Sequence, residues 1–385
     1  MTRCTAAHVD LAALDKNFRA IGSYLQDEAS LNRGAGRGPV RPPGIIAVVK
    51  ANAYGHGARP VAKTLEAAGA TMLAVADIEE GVDLRGSGIR APILVFGALS
   101  VSDLDGVFDH GLTPTISSPA AGAALQAAAA RRKTTLHYHL KIDTGMNRLG
   151  FRHDNLGRTL PALLGSENLA LDAVHTHFGS ADEPGHQLFD EQRTRFEAAC
   201  RVLDELAAGP RVRHAANSAA LLRDSRVWYD FVRPGLLLYG LVPPPLGSTL
   251  PLTPVMSLTS RVVAVKGVRV GETIGYGGRF SAERPVTLAV IPAGYADGLD
   301  RRLEGRGAVL VRGRRAPIVG AVSMDMLTVD VTDIEAVGPG DEVVFLGSQG
   351  TEPQQTIDAR EMAAWIGTIP YEILCRLGAR VERRY

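Results

Sequence analysis

Nowhere in this chain do about 18 apolar residues run together, so no helix is expected to span a membrane. Neither charge is in excess. Lys and Arg total 42 against 41 Asp and Glu, a formal net charge of +1, which leaves no electrostatic footprint for nucleic acid or an anionic membrane. Cysteine is scarce: Cys4, Cys200 and Cys375 are odd in number and far apart, which fits neither a disulfide framework nor a zinc site. The opening stretch "MTRCTAAHVDLAALDKNF" has Asp10 and Asp15 where a signal peptide needs an unbroken apolar segment. These absences point to a cytoplasmic protein with no nucleic-acid or membrane partner and no metal site.

What is present is organised. At 385 residues the chain is too long for one ordinary core, so two domains are expected. Up to about residue 245, short apolar runs alternate with Ala/Leu-rich helical segments such as "ARPVAKTLEAAGA" and "SPAAGAALQAAAARR". The runs are "IIAVV", "LAVAD", "ILVFG", "TPTI", "LHYHLKID", "LDAVHTHF", "VRHAAN" and "FVRPGLLLYG". Strand and helix in alternation mean a parallel sheet, and eight strands predict a (β/α)8 barrel over residues 1–245, with an open doubly wound sheet as the alternative. After the proline-rich "LVPPPLGSTLPLTP" the pattern changes to period-2 strands punctuated by Gly and Pro, which predicts an antiparallel β-domain over 246–385. One helix interrupts it, "DAREMAAWIGT", with Asp358 and Glu361 at capping-box spacing. The Gly/Pro-rich stretch 32–44 follows no strand and opens no helix, so it reads as a loop and not as a phosphate cradle.

In a parallel barrel, chemistry sits at the C-terminal ends of the strands. Lys50 ends the first run, in "GIIAVVKANAYGHG"; Arg148 follows the fifth; His177 ends the sixth; Asn217 and Ser218 end the seventh; Arg233 and Gly235 lie on the eighth. Arginine forks match carboxylate or phosphate, and Ser218 beside a helix start suits phosphate. Each residue also has an ordinary reading. A lysine at a strand end is usually solvated, Arg148 near Asp143 makes a surface pair worth little, and paired histidines on a strand are mostly hydrogen-bonded core groups. Their convergence on one mouth favours an anionic ligand. A metal hydrolase using "HYH" or "HTH" is an alternative, but no carboxylate cluster accompanies either pair.

"AVVKANAYGHG" resembles the cofactor-lysine motif of alanine racemases. So do "LKIDTGMNRLG", "THFGSADE", "ANSAA", "RPGLLLYG", "IGYGGRF", "PAGYADG", "GAVSMDM" and "GTIPYEILC", in the family's order over nearly the whole chain. The resemblance implies that Lys50 carries pyridoxal 5′-phosphate and serves one face of the substrate, with Tyr276 as the base on the other. Catalysis requires the lysine amine to be neutral, so its ordinary pKa of about 10.4 must fall. It implies that His177 and Arg233 support Tyr276, and that Arg233 meets the pyridine nitrogen and leaves it neutral. Tyr54, Asn217, Ser218, Gly235, Leu236 and Tyr371 are then cofactor-binding, and Arg148 with the Met324 N–H binds the substrate carboxylate. Tyr295, Tyr371 and Asp325 shape a narrow entrance, and Lys141 matches a position often carbamylated. The expected reaction is interconversion of L- and D-alanine in a homodimer with shared sites, feeding peptidoglycan. A broader-specificity racemase, a decarboxylase on the same barrel and a non-catalytic cofactor carrier are the alternatives; "GYGG" and "SMDM" argue against the decarboxylase.

Overall fold

The structure, a computed structural model, describes residues 4–34, 41–97, 99, 104–206, 212–351 and 353–385. It divides into two compact units. One comprises Ala12–Ala53 and Ala58–Thr253; the other comprises the opening residues up to Leu11, Tyr54–Gly57 and Pro254–Tyr385.

The first unit is a closed parallel barrel. Its strands are β1 (Gly44–Val48), β2 (Met72–Val75), β3 (Ile93–Val95), β4 (Thr113–Ile116), β5 (Leu136–Asp143), β6 (Leu169–His175), β7 (Val212–Asn217) and β8 (Phe231–Arg233). Each pairs in parallel with its neighbour, and β8 pairs with β1 to close the ring. Strands buried on both faces tend to read as apolar runs, as Gly44–Val48, Met72–Val75 and Ile93–Val95 do. The eighth is much shorter than its run "FVRPGLLLYG". Pro234 offers no N–H to a ladder, and Leu236–Tyr239 form a 3₁₀ turn instead. Of the stretch 32–44, the long helix Leu11–Gly34 takes the first part and β1 begins at Gly44; residues 35–40 lie outside the described residues.

The second unit is built on a ten-stranded sheet. Its order is Ala264–Val268, Val286–Ile291, Leu327–Asp330, Arg314–Val319, Ala308–Val311, Glu342–Gln349, Met256–Arg261, Ala6–Val9 and Glu382–Arg384, with Gln355–Ile357 paired beside Glu342–Gln349. The pairings are antiparallel except for Ala6–Val9 with Glu382–Arg384, which is parallel. The opening strand Ala6–Val9 thus belongs to this sheet and not to the barrel, and the division after the barrel falls at Thr253/Pro254. Helix Ala359–Ile366 begins where the capping signal places it: Asp358 accepts the Glu361 N–H at 2.8 Å. The Glu361 carboxylate turns instead to Arg315, at 2.7 and 3.0 Å. No helix among the described residues is long and apolar enough to cross a membrane.

Candidate active site

The stretch after β1 departs from ordinary geometry. Ala51, Asn52, Ala53 and Tyr54 all have positive φ, between 53° and 55°. This is a left-handed helical turn of four non-glycine residues, each costing about 1–2 kcal/mol relative to the right-handed form. Neighbouring groups hold it. The Ala53 N–H donates to the Val49 carbonyl at 2.8 Å. The Glu80 carboxylate accepts the Ala51 N–H at 2.6 Å and, through its other oxygen, the Ala76 N–H at 2.8 Å. Asn52 Oδ1 accepts the Ala58 N–H at 2.8 Å. Lys50 stands at the start of this turn, half-buried, directly after the buried Val49. A charge-assisted bond to a strained turn should be costly to lose. Glu80→Ala is expected to lower unfolding stability by about 2 kcal/mol, and an unchanged urea midpoint would remove Glu80 from this role.

Around the same barrel end, cations gather. Lys141 is buried on β5, and its pKa falls to about 7, first through burial and then through the charges of Arg233, Arg148 and Lys50, with Asp143 opposing. His177 is pushed well below the ordinary range by burial and then by Arg233, Lys141, Arg148 and Lys50. Lys50, Lys141, Arg148 and Arg233 thus all bear on this one histidine. Arg148 itself is exposed. Asp143 ties down the loop instead of following the ordinary reading of a surface pair with Arg148: it accepts the Gly145 and Asn147 N–H groups at 2.9 and 3.1 Å.

Arg233 is buried at the end of β8, and burial lowers its pKa to about 9. Its Nη2 donates to the Thr176 and Ala215 carbonyls at 2.7 and 2.8 Å, and its Nη1 meets His214 Nδ1 at 2.8 Å. Next to it, Asn217 caps the helix Ser218–Arg223 by accepting the Ala220 N–H at 2.9 Å. Ser218 Oγ accepts the Gly235 N–H at 2.9 Å, drawing the Gly235–Leu236 backbone to the start of that helix.

The second unit presents its own set. Tyr276 sits 75% exposed at the tip of the hairpin Thr273–Ile274/Phe280–Ser281. Ile274 and Phe280 anchor that hairpin in a small core with Val268, Ala282, Val286, Leu288 and Val319. Gly275 precedes it at φ 73°, where an added Cβ would lie 2.9 Å from the Ala321 nitrogen. Tyr295, Met324 and Asp325 are drawn together: the Tyr295 N–H donates to the Ser323 carbonyl at 3.0 Å, and Arg380 reaches Asp325 at 2.7 Å and the Met324 carbonyl at 3.0 Å. Tyr54 and Tyr371 pack with ring centroids 5.9 Å apart, and burial, then Tyr371 and Cys375, push the Tyr54 phenol upward. Gly55 follows, where a Cβ would strike the Leu374 carbonyl.

Sequence profiles for the alanine racemase N-terminal and C-terminal domains match residues 9–243 and 255–385. The chain belongs to the alanine racemase family. An alanine racemase of Carboxydothermus hydrogenoformans is 44% identical over 384 residues, covering 98% of each chain. The crystal structure of the enzyme from D-cycloserine-producing Streptomyces lavendulae superposes with a TM-score of 0.91 at 34% identity, over 100% of this chain and 97% of that one. That of the Bartonella henselae alanine racemase, with covalently bound pyridoxal phosphate, gives a TM-score of 0.85 at 29% identity over 99% of both chains.

Three histidines of this alanine racemase family member were missed as a group. His139, His175 and His214 fill the barrel interior where branched aliphatics ordinarily stack. His175 lies on His214 with rings 4.6 Å apart and nearly parallel, at 8°. The signal was the alternation in "HYHLKID" and "HTHF", which puts His139 with Lys141, and His175 with His177, at inward positions. His137, by contrast, points to solvent and pairs with Asp172 at 2.7 Å, so "HYH" does not act as a unit. A register shift between Tyr138 and His139 separates the two. Among the described residues no group of three or more His, Cys, Asp or Glu is placed to hold a metal ion.

Proposed function

We propose that this chain interconverts L- and D-alanine with pyridoxal 5′-phosphate held at the mouth of the barrel, in the cytoplasm, where D-alanine supplies peptidoglycan. The observation that carries the reading is the cationic mouth: Arg233, Arg148 and Lys50 all bear on the buried Lys141, with Asp143 as the opposing carboxylate. Such a mouth suits a doubly charged phosphate and a substrate carboxylate. The donor set also fits the cofactor. Lys50 would hold it covalently, Arg233 would meet its ring nitrogen, and Ser218, Gly235, Leu236, Asn217, Tyr54 and Tyr371 would gather around its phosphate. When bound, it supplies an electron sink for the pair released at the substrate Cα.

The chain's own groups do the rest. Arg148 and the Met324 N–H bind the substrate carboxylate. Lys50 takes or returns the proton on one face of Cα, and Tyr276 does so on the other. A phenol is a weak base on its own, and His177 and Arg233 would support Tyr276 in this role. Tyr295, Tyr371 and Asp325 narrow the approach to small amino acids, favouring alanine over a broader range. Arg233, which can only donate, would face the ring nitrogen and disfavour its protonation. The depressed pKa of Lys141 leaves part of its amine neutral near pH 7, the form that carbon dioxide carbamylates.

We assign the cofactor-binding lysine to the barrel unit, Ala12–Ala53 and Ala58–Thr253, and Tyr276 and Met324 to the β-sheet unit that contains Pro254–Tyr385, acting across a homodimer. Borohydride reduction of the protein as purified, followed by peptide mapping, is expected to find the pyridoxyl group on Lys50; a label on another lysine overturns the assignment.

A further inference from the structure

Arginine only donates hydrogen bonds. The contact of Arg233 Nη1 with His214 Nδ1 at 2.8 Å therefore requires that nitrogen to be bare. A neutral His214 then carries its proton on Nε2, and that nitrogen lies 3.0 Å from Nδ1 of His139. For this contact to be a hydrogen bond, His139 Nδ1 must accept, so His139 carries its own proton on Nε2. One donor at Arg233 thus sets the tautomers of two rings in series. Their environment keeps both rings neutral. Burial, and then Arg233, His139 and Lys141, push His214 well down. Burial brings His139 to about 4. The stacked His175 walls the far face of His214.

We propose that His139 is a positioning residue of the racemase reaction: through the tautomer of His214 it holds the Arg233 guanidinium in its working orientation. The proposal rests on the reading that Arg233 faces the cofactor ring. His214 donates to His139 while accepting from Arg233, and a ring that donates at one nitrogen accepts more strongly at the other. Without an acceptor at His139, the buried Nε2–H of His214 is orphaned, and such a group costs enough to reorganise its surroundings. The ring then escapes by turning or by moving its proton to Nδ1. Either move takes the acceptor away from Arg233, leaving the guanidinium held by the Thr176 and Ala215 carbonyls through Nη2.

The test uses the full chain carrying its pyridoxal phosphate and histidine labelled with ¹⁵N. In the unaltered protein, His214 and His139 should each show a bare Nδ1 and a protonated Nε2. A proton on His214 Nδ1, or on both of its nitrogens, overturns the proposal without any variant. His139→Leu should produce a second His214 tautomer, shift the cofactor's visible absorption band and lower kcat about tenfold with KM little changed. His139→Asn, whose Oδ1 can accept from His214, should restore the band and most of kcat. A purely packing role predicts the opposite ranking, with Leu milder than Asn, and that ranking, or an unshifted band in His139→Leu, overturns the proposal. Arg233→Gln separates the two readings. If it leaves the cofactor band unmoved, Arg233 does not face the ring, whatever the histidine tautomers prove to be.

Discussion

Lys50→Ala and Tyr276→Phe, each inactive alone, are expected to regain racemase activity when they are unfolded and refolded together. Each variant removes one of the two bases, which should cost roughly 10³-fold or more in turnover. Lys50 lies on the barrel and Tyr276 on a hairpin tip of the other unit, 75% exposed in the single chain. A large aromatic side chain so exposed, on a hairpin anchored by its own small core, is a rigid group presented outward. If the hairpin of one chain serves the barrel of another, a mixed dimer has one site with both lesions and one with neither. Random pairing makes about half of the dimers mixed, and so recovers roughly a quarter of the wild-type activity. If each site were built within one chain, both sites of the mixed dimer would carry one lesion and activity would stay absent. The decisive measurement is D-alanine formation after mixing, with mixed dimers confirmed by differently tagged chains.

The second large effect is expected at Arg148. Its fork lies on an exposed loop whose shape Asp143 fixes through the Gly145 and Asn147 N–H groups. Arg148 is therefore held in place by its backbone, and its guanidinium stays available to a carboxylate. Two charge-assisted bonds lost together should lower kcat/KM for alanine by about 10²-fold in Arg148→Ala. Arg148→Lys should recover only part, because a point charge cannot reproduce the two parallel bonds. Steady-state kinetics unchanged in both variants would return Arg148 to an ordinary surface arginine.

The barrel could be read from the sequence because eight mostly apolar strand segments alternate with helical ones. The cationic mouth could be read because strand ends in a parallel barrel share one side. Other features left no such trace. Ala6–Val9 pairs with strands more than 240 positions away, and no local pattern encodes so distant a partner. The left-handed turn is invisible because alanine at positive φ looks in sequence like alanine in any helix. Glu80 reads as a first-turn acid of helix Ile78–Gly86, where it favours the helix dipole, and only the fold shows its carboxylate bridging Ala51 and Ala76. The histidines at 139 and 214 were visible as polar positions, but which nitrogen meets which is a matter of ring placement.

The turn after Lys50 has a stereochemical corollary. Ala51 and Ala53 stand at φ 53° and 55°, the region that an L-residue enters at a penalty and its mirror image occupies at rest. An assembled chain with D-alanine at position 51 would relax there. Its methyl group would point elsewhere, and the tension that Glu80 now restrains would be gone. The reaction product that the chain is proposed to make is, at that point of its own backbone, the residue with the better fit.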